Sequence, residues 1–123
     1  MRKPTARRRT DASGVFIDFA GSKIVANFGT LTAQNATSIN RIKRGLWDLK
    51  IDRDREPTIH KRTHEMLVQH PSFDDPQITE KQWDKISGSL KSLEQQADQV
   101  EIRLRPLHSV KDIGEHLLEK EAA

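Results

Sequence analysis

The chain of 123 residues has no cysteine, which excludes disulfide bonds, zinc–thiolate sites and cysteine nucleophiles together. It also has no long apolar run, since no stretch approaches the roughly 20 apolar residues that a membrane-spanning helix requires. Residues 1–13 contain no apolar run either, so they do not have the pattern of a secretory signal. These absences favour a cytoplasmic protein with no membrane partner.

Motifs that carry known chemistry are missing as well. We find no HExxH zinc-peptidase pattern, phosphate-binding loop, serine nucleophile elbow, zinc finger, RNP-type or GXXG signature. Aromatic residues make up only 5% of the chain, so few side chains are available to stack on bases. The sequence thus favours a protein that is not an enzyme, and it assigns no cofactor and no metal site.

Acidic side chains are absent from the first ten positions, where basic ones concentrate. Five of the first nine residues are basic, namely Arg2, Lys3, Arg7, Arg8 and Arg9. The rest of the chain holds 16 basic and 18 acidic residues. The five basic residues at the start therefore carry more positive charge than the net charge of +3 of the whole chain. Basic clusters bind phosphates through charge and counterion release. We predict a disordered basic arm over residues 1–13 that contacts nucleic acid. The alternatives are contact with an acidic protein or membrane surface, or a solubilising tail without a ligand.

Residues 14–123 are predicted to form a single domain, in a chain with 34% hydrophobic and 32% charged residues. The segment 15–28 has the pattern of two strands joined by a two-residue turn at 21–22. In that register Phe19 lies opposite Ile24, and the apolar side chains share one face. An isolated hairpin is marginally stable in water, so this face must be covered by other elements.

Four segments show the spacing of amphipathic helices. In the first, Ile42, Leu46 and Leu49 form one apolar stripe, and the third opens with a capping box from Thr79 to Gln82. Such stripes are expected to cover the sheet or to mediate self-association. The predicted helices run from residue 30 or 32 to about 50, from 57 to 69, from 79 to 97, and from 109 onward.

Residues 100–105 fit two structures. Their strict alternation favours a strand, whereas a 3-4 repeat of apolar residues would extend the preceding helix through Leu104. The strand is preferred because it accounts for Ile102 and adds a third strand to the hairpin. The predicted fold class is therefore α+β: a small antiparallel sheet, hairpin 15–28 plus strand 100–105, covered on one face by three or four helices.

A second basic group lies in residues 41–62, which hold eight basic and four acidic side chains. Arg41, Lys43 and Arg44 are expected off the apolar stripe of the first helix, exposed to water or to a ligand. A solvated helix face, paired with the neighbouring acids, is the alternative interpretation. Trp47 is expected in the core beside the stripe, which argues against base stacking.

The same segment contains the most enzyme-like set of side chains. A small ribonuclease needs only a base, an acid and cations around a phosphate, and the candidates are His60, His64, Arg41, Arg44 and Arg62. His60 and His64 also have an i, i+4 spacing that can hold zinc, but no third ligand follows in a known pattern. Histidines beside an apolar stripe are more often structural, so we assign no catalytic residue and no metal ligand.

The leading hypothesis from the sequence is a non-enzymatic nucleic-acid-associated or assembly protein of the phage, plasmid or regulatory type. The basic arm, with Arg41, Lys43 and Arg44, would contact DNA or RNA phosphates, and the helix stripes would mediate homodimerisation or protein binding. Two alternatives stay open. One is a small ribonuclease toxin that uses residues 41–64, and the other is a protein-binding inhibitor or virion component with no nucleic-acid role.

Overall fold

The computed structural model describes residues 9–10, 14–32, 36–57, 62–72 and 74–122. These residues form six strands and three helices, and they are introduced here in chain order. The elements are β1 (Arg9–Thr10), β2 (Phe16–Ile17), β3 (Phe19–Ala20), β4 (Ile24–Thr30), α1 (Ala36–Arg55), β5 (Thr63–Gln69), α2 (Glu80–Gln99), β6 (Arg103–Leu107) and α3 (Val110–Ala122).

Four strands form one mixed sheet in the order β3-β4-β5-β6. β3 pairs with β4 in the antiparallel direction, whereas the β4–β5 and β5–β6 pairs are parallel. Parallel neighbours need a crossover connection, which α1 supplies between β4 and β5 and α2 supplies between β5 and β6. The predicted α+β class is confirmed, but the expected antiparallel sheet is corrected to a mixed one.

Helices cover both faces of this sheet, not one face as expected. α1 and α2 pack on one face, where their apolar stripes join a core cluster with Val25, Met66 and Val68. α3 packs on the opposite face, where Ile113 and Leu117 join a second cluster. The two crossover helices lie on one side of the parallel strands, so the other side also needs a cover. The stripes of α1 and α2 are therefore buried within the chain.

The segment 57–69, predicted as a helix, contains the central strand β5, and this prediction is wrong. Residues 58–61 of it lie outside the described residues. The strand has a neighbour on each side and helices on both faces, so the five residues from His64 to Val68 are all buried. A strand buried on both faces loses the period-two alternation that identifies a half-exposed strand.

The predicted strands in 15–28 are present, with a different turn and register. The segment divides into β2, β3 and β4, and Phe19 pairs with Ala26 instead of Ile24. This shift is two residues, so these side chains keep their predicted common face and join the second core cluster. The turn is displaced by one residue to Ser22 and Lys23, since the N–H of Gly21 donates to the carbonyl of Ile24.

Local signals in the second half of the chain predict its elements well. The capping box of α2 is confirmed, since Thr79 and Gln82 exchange side-chain to backbone hydrogen bonds of 2.9 and 3.1 Å. The strand preferred for residues 100–105 is confirmed as β6, displaced by a few residues to Arg103–Leu107. The hydroxyl of Ser109 caps α3 by accepting a backbone N–H at 3.1 Å.

Candidate nucleic-acid interface

The outer side of α1 carries the basic residues that the sequence singles out. α1 (Ala36–Arg55) follows β4, which continues to Thr30, so the predicted helix start at residue 30 is wrong. Its apolar stripe of Ile42, Leu46 and Leu49 is buried in the core. The remaining side faces solvent and defines what we call the α1 basic face: exposed Arg41, Lys43, Arg44 and Trp47, and half-buried Lys50.

Trp47 is 55% exposed, so the expectation that it packs in the core is wrong. The ammonium group of Lys50 lies 5.6 Å from the centroid of its ring, within the range of a cation–π interaction. The sequence contained a signal for this exposure. In an α-helix successive residues are rotated by about 100°, so Trp47 lies about 160° around the helix axis from the buried Leu49. An indole exposed among cations is an arrangement that stacks on nucleic-acid bases.

Acidic partners neutralise part of the α1 basic face. Buried Asp48 accepts a hydrogen bond of 3.3 Å from Arg44, yet the Arg44 side chain stays 68% exposed. Asp54 accepts a hydrogen bond of 2.8 Å from Lys50, and this bond holds the pKa of Asp54 below its usual value. Arg41 and Lys43 form no ion pair with any described residue, so their charges are available to a ligand.

The basic arm enters the domain beside the same helix. Arg9 and Thr10 form β1, which pairs with β2, and β2 in turn contacts α1. A nitrogen of the Arg44 guanidinium donates a hydrogen bond of 3.5 Å to the carbonyl of Gly14. The other four basic residues of the predicted arm lie outside the described residues: Arg2, Lys3, Arg7 and Arg8. The chain that follows the arm is therefore attached to the α1 basic face.

A buried amide fixes β2 against α1 and β4. The side chain of Asn27 accepts a hydrogen bond of 2.7 Å from the N–H of Asp18. It donates to the carbonyls of Phe16 at 3.0 Å and Gly45 at 3.1 Å. Since these partners belong to β2, α1 and the bend after β2, one side chain sets the position of the arm's attachment relative to the helix.

Three described members of the set proposed for a ribonuclease are engaged at separate places in the fold. Two of the arginines lie on the α1 basic face, and His60 lies outside the part of the chain that the structure describes. His64 is buried against the end of α1, where its Nε2 lies 2.9 Å from the carboxylate of Asp52. Its Nδ1 lies 3.2 Å from the carbonyl oxygen of Arg62. Both ring nitrogens of this buried side chain are thus engaged within the fold.

Arg62 is also engaged in structural contacts. Its backbone N–H and its guanidinium both donate to the buried carboxylate of Glu56, and the guanidinium donates to the carbonyl of Gly21 at 3.1 Å. It borders a cleft of about 350 Å³ together with Asp52, Arg55 and other residues at the end of α1. Arg62 thus connects the segment before β5 to the β3–β4 turn. Its charge is balanced by the carboxylate of Glu56.

Comparisons with known proteins do not add a relative to this picture. No family model matches the chain, and no match was found among curated proteins or solved structures. None of the helices in the described ranges is long and apolar enough to cross a bilayer. The α1 basic face and the arm that adjoins it are therefore the features that indicate a function.

Proposed function

We propose that this protein binds single-stranded nucleic acid through the α1 basic face, without catalysis, and that the basic arm adds phosphate contacts. The observation that carries the proposal is the exposure of Trp47 between cations on one helix. Indole is a large apolar group that is usually buried, so its retention in solvent beside Arg44 and Lys50 favours a role in ligand contact.

The stacking chemistry selects an unpaired strand over a duplex. An indole can stack on a base only when the face of that base is not covered by neighbouring base pairs. Every base has a π-face, so such stacking shows little sequence preference. The cations around Trp47 would bind the phosphates on either side of the stacked base. The expected complex is therefore weakly sequence-selective and sensitive to salt.

The arm would extend this contact along the strand. It joins the domain through β1 and β2, which lie beside α1, so its cations are tethered close to the α1 basic face. Each phosphate neutralised on a single strand adds about −0.7 to the slope of log K against log salt. Removing residues 1–8 takes away four cations and leaves β1 intact, so we expect the slope to become shallower by up to about 2.8.

The first test compares Trp47→Ala with Phe28→Ala, which truncates an exposed aromatic residue outside the α1 basic face. Binding to labelled single-stranded DNA, single-stranded RNA and duplex DNA is measured by fluorescence anisotropy. We expect Trp47→Ala to weaken single-strand binding by about 1–3 kcal/mol. Phe28→Ala should change it little, and duplex binding should be weaker throughout. Equal affinity of Trp47→Ala and the unmodified protein would contradict the proposal, as would absence of binding at low salt.

The second test separates the charges of the interface from other surface charges. The double variant Arg41→Ala/Lys43→Ala is compared with Lys81→Ala/Lys85→Ala, which removes two exposed cations from α2. Affinity is measured at several salt concentrations for both variants and for the chain without residues 1–8. The first variant and the truncation should reduce the salt slope, while the α2 variant should not. Equal slopes for all three would contradict the assignment of the interface.

A further inference from the structure

The helices that follow the two neighbouring strands β5 and β6 lie on opposite faces of the sheet. The chain leaves β5 toward α2 on one face, and it leaves β6 toward α3 on the opposite face. In open sheets of parallel strands, such a reversal leaves a crevice outside the carboxyl ends of the two strands, and ligands bind there preferentially. In this chain the reversal falls at the ends of β5 and β6.

A histidine directly follows each of these strands. His70 comes after the last residue of β5, and His108 comes after Leu107, the last residue of β6. The backbone N–H of His70 donates to the carbonyl of Leu107 at 2.9 Å, which holds the two strand ends side by side. The imidazole centroids lie 4.8 Å apart with ring planes at 70°. The topology thus joins two side chains that are distant in sequence.

The ring of His70 is oriented by a backbone carbonyl. His70 is only 7% exposed, and its Nδ1 lies 2.9 Å from the carbonyl oxygen of Pro71. Because a carbonyl only accepts, Nδ1 carries the proton and Nε2 keeps its lone pair in the neutral ring. No described residue makes a hydrogen bond to Nε2. Histidines that ligate metals are commonly held in this way, with the other nitrogen donating to a carbonyl or carboxylate.

The geometry points to a transition-metal site in which His70 and His108 are the protein ligands of one Zn²⁺, Ni²⁺ or Cu²⁺ ion. An ion about 2.1 Å from one nitrogen of each ring would place the ring centroids about 5 Å apart, close to their present separation. Imidazole nitrogen is a preferred ligand of these metals. His108 is exposed, so its ring can adjust to an ion that enters from solvent.

The remaining coordination positions would be open to water or to an external ligand. Among the described residues, no three histidine, aspartate or glutamate side chains are close enough together to enclose an ion. The carboxylate of Asp74, in the loop after β5, interacts electrostatically with His108 and accepts a hydrogen bond from Ser72. It therefore adds negative charge beside the pair, which favours a cation there without requiring direct ligation.

The test titrates the full chain with Zn²⁺ and, separately, with Ni²⁺ by calorimetry in a buffer that does not bind metals. We expect one ion per chain, and we expect His108→Ala to weaken binding at least about tenfold. His60→Ala is the matched control, because it removes a histidine that the proposed site does not use. Absence of saturable binding would overturn the site, as would an equal loss in His60→Ala.

A second measurement does not depend on a variant of the buried histidine. Long-range ¹H–¹⁵N spectra of the histidine rings are recorded during the Zn²⁺ titration. The ring nitrogens of His70 and His108 should shift together at one equivalent, with Nδ1 of His70 still protonated. Shifts confined to other histidines would overturn the assignment. No nucleic acid is present in either experiment, so the outcome is independent of the function proposed for α1.

Discussion

The carboxylate of Glu121 in α3 accepts a hydrogen bond of 2.8 Å from the backbone N–H of Lys23 in the loop between β3 and β4. It also accepts hydrogen bonds from the N–H and the hydroxyl of Ser22, at 3.0 and 2.8 Å, and from the N–H of Ile24 at 3.1 Å. One side chain therefore satisfies three backbone donors of a loop that the sequence predicts as a two-residue turn. The same contacts fasten α3 to the sheet.

We expect Glu121→Gln to lower the free energy of unfolding by about 1–2 kcal/mol, because charge-assisted hydrogen bonds are stronger than neutral ones. Glu119→Gln is the control, since it removes the same charge from an exposed position on the same helix. Chemical denaturation of both variants provides the measurement. If the two variants are equally stable, the contacts of Glu121 contribute nothing beyond surface charge.

The contribution of Glu121 should also depend on pH. Burial alone would raise the pKa of Glu121, but hydrogen bonds from Lys23, Ser22 and Ile24 outweigh it and hold this pKa below its usual value of 4.5. A carboxylate whose pKa is lower in the folded state stabilises the fold fully above its unfolded pKa, and it loses this effect as the pH falls through the folded pKa. The stability difference between the unmodified protein and Glu121→Gln should therefore be constant near neutral pH and shrink below about 4.5. A difference that persists in strong acid would exclude this origin.

Sequence signals that act within one turn of chain predict the helices α2 and α3 closely. The capping residues Thr79 and Ser109 fix where these helices begin, and each cap needs only backbone donors three residues away. The alternation in 100–105 also predicts a strand correctly, because β6 is an edge strand that keeps one exposed side. In these cases the local pattern and the tertiary environment agree.

Predictions that needed contacts distant in sequence did not succeed. β5 resembles a helix because both its faces are buried, and only its two parallel neighbours determine that it is a strand. The carboxylate of Glu121 binds the turn of the hairpin, a contact that no local pattern in 15–28 can indicate. The pairing of His70 with His108 follows from strand order, so the sequence alone gave no reason to join them.

Two helical glycines allow a matched test of the packing between α1 and β5. Gly88 of α2 has open space where a Cβ would lie, so Gly88→Ala should stabilise the protein by about 0.5–1 kcal/mol through helix propensity. A Cβ on Gly45 of α1 would lie 2.9 Å from the sulfur of Met66. Gly45→Ala should therefore destabilise by about 1–3 kcal/mol despite the same gain in propensity. Urea denaturation measures the stability of both variants. Equal stability would show that the Met66 side chain moves away from the added methyl group at no cost.

Glu65 is a fully buried carboxylate between β5 and α3. Its Oε1 lies 2.6 Å from Nε2 of His116 and 3.6 Å from Nε of Arg105. Its Oε2 and that arginine nitrogen are buried without a hydrogen-bond partner among the described residues. Burial of a charge is costly unless it is paired, so the stability of this face depends on His116 staying in place.

His116→Ala should destabilise the protein by about 3 kcal/mol, because it leaves the Glu65 carboxylate buried without its closest partner. The double variant Glu65→Leu/His116→Leu removes both polar groups and fills the space with apolar ones, so it should be more stable than His116→Ala alone. Glu115→Ala, at an exposed position of α3, is the control for changes in helix propensity. Chemical denaturation of all three variants provides the measurement. A double variant less stable than His116→Ala would mean that the Glu65–His116 pair itself holds α3 on the sheet, and not the cost of burying Glu65 without its closest partner.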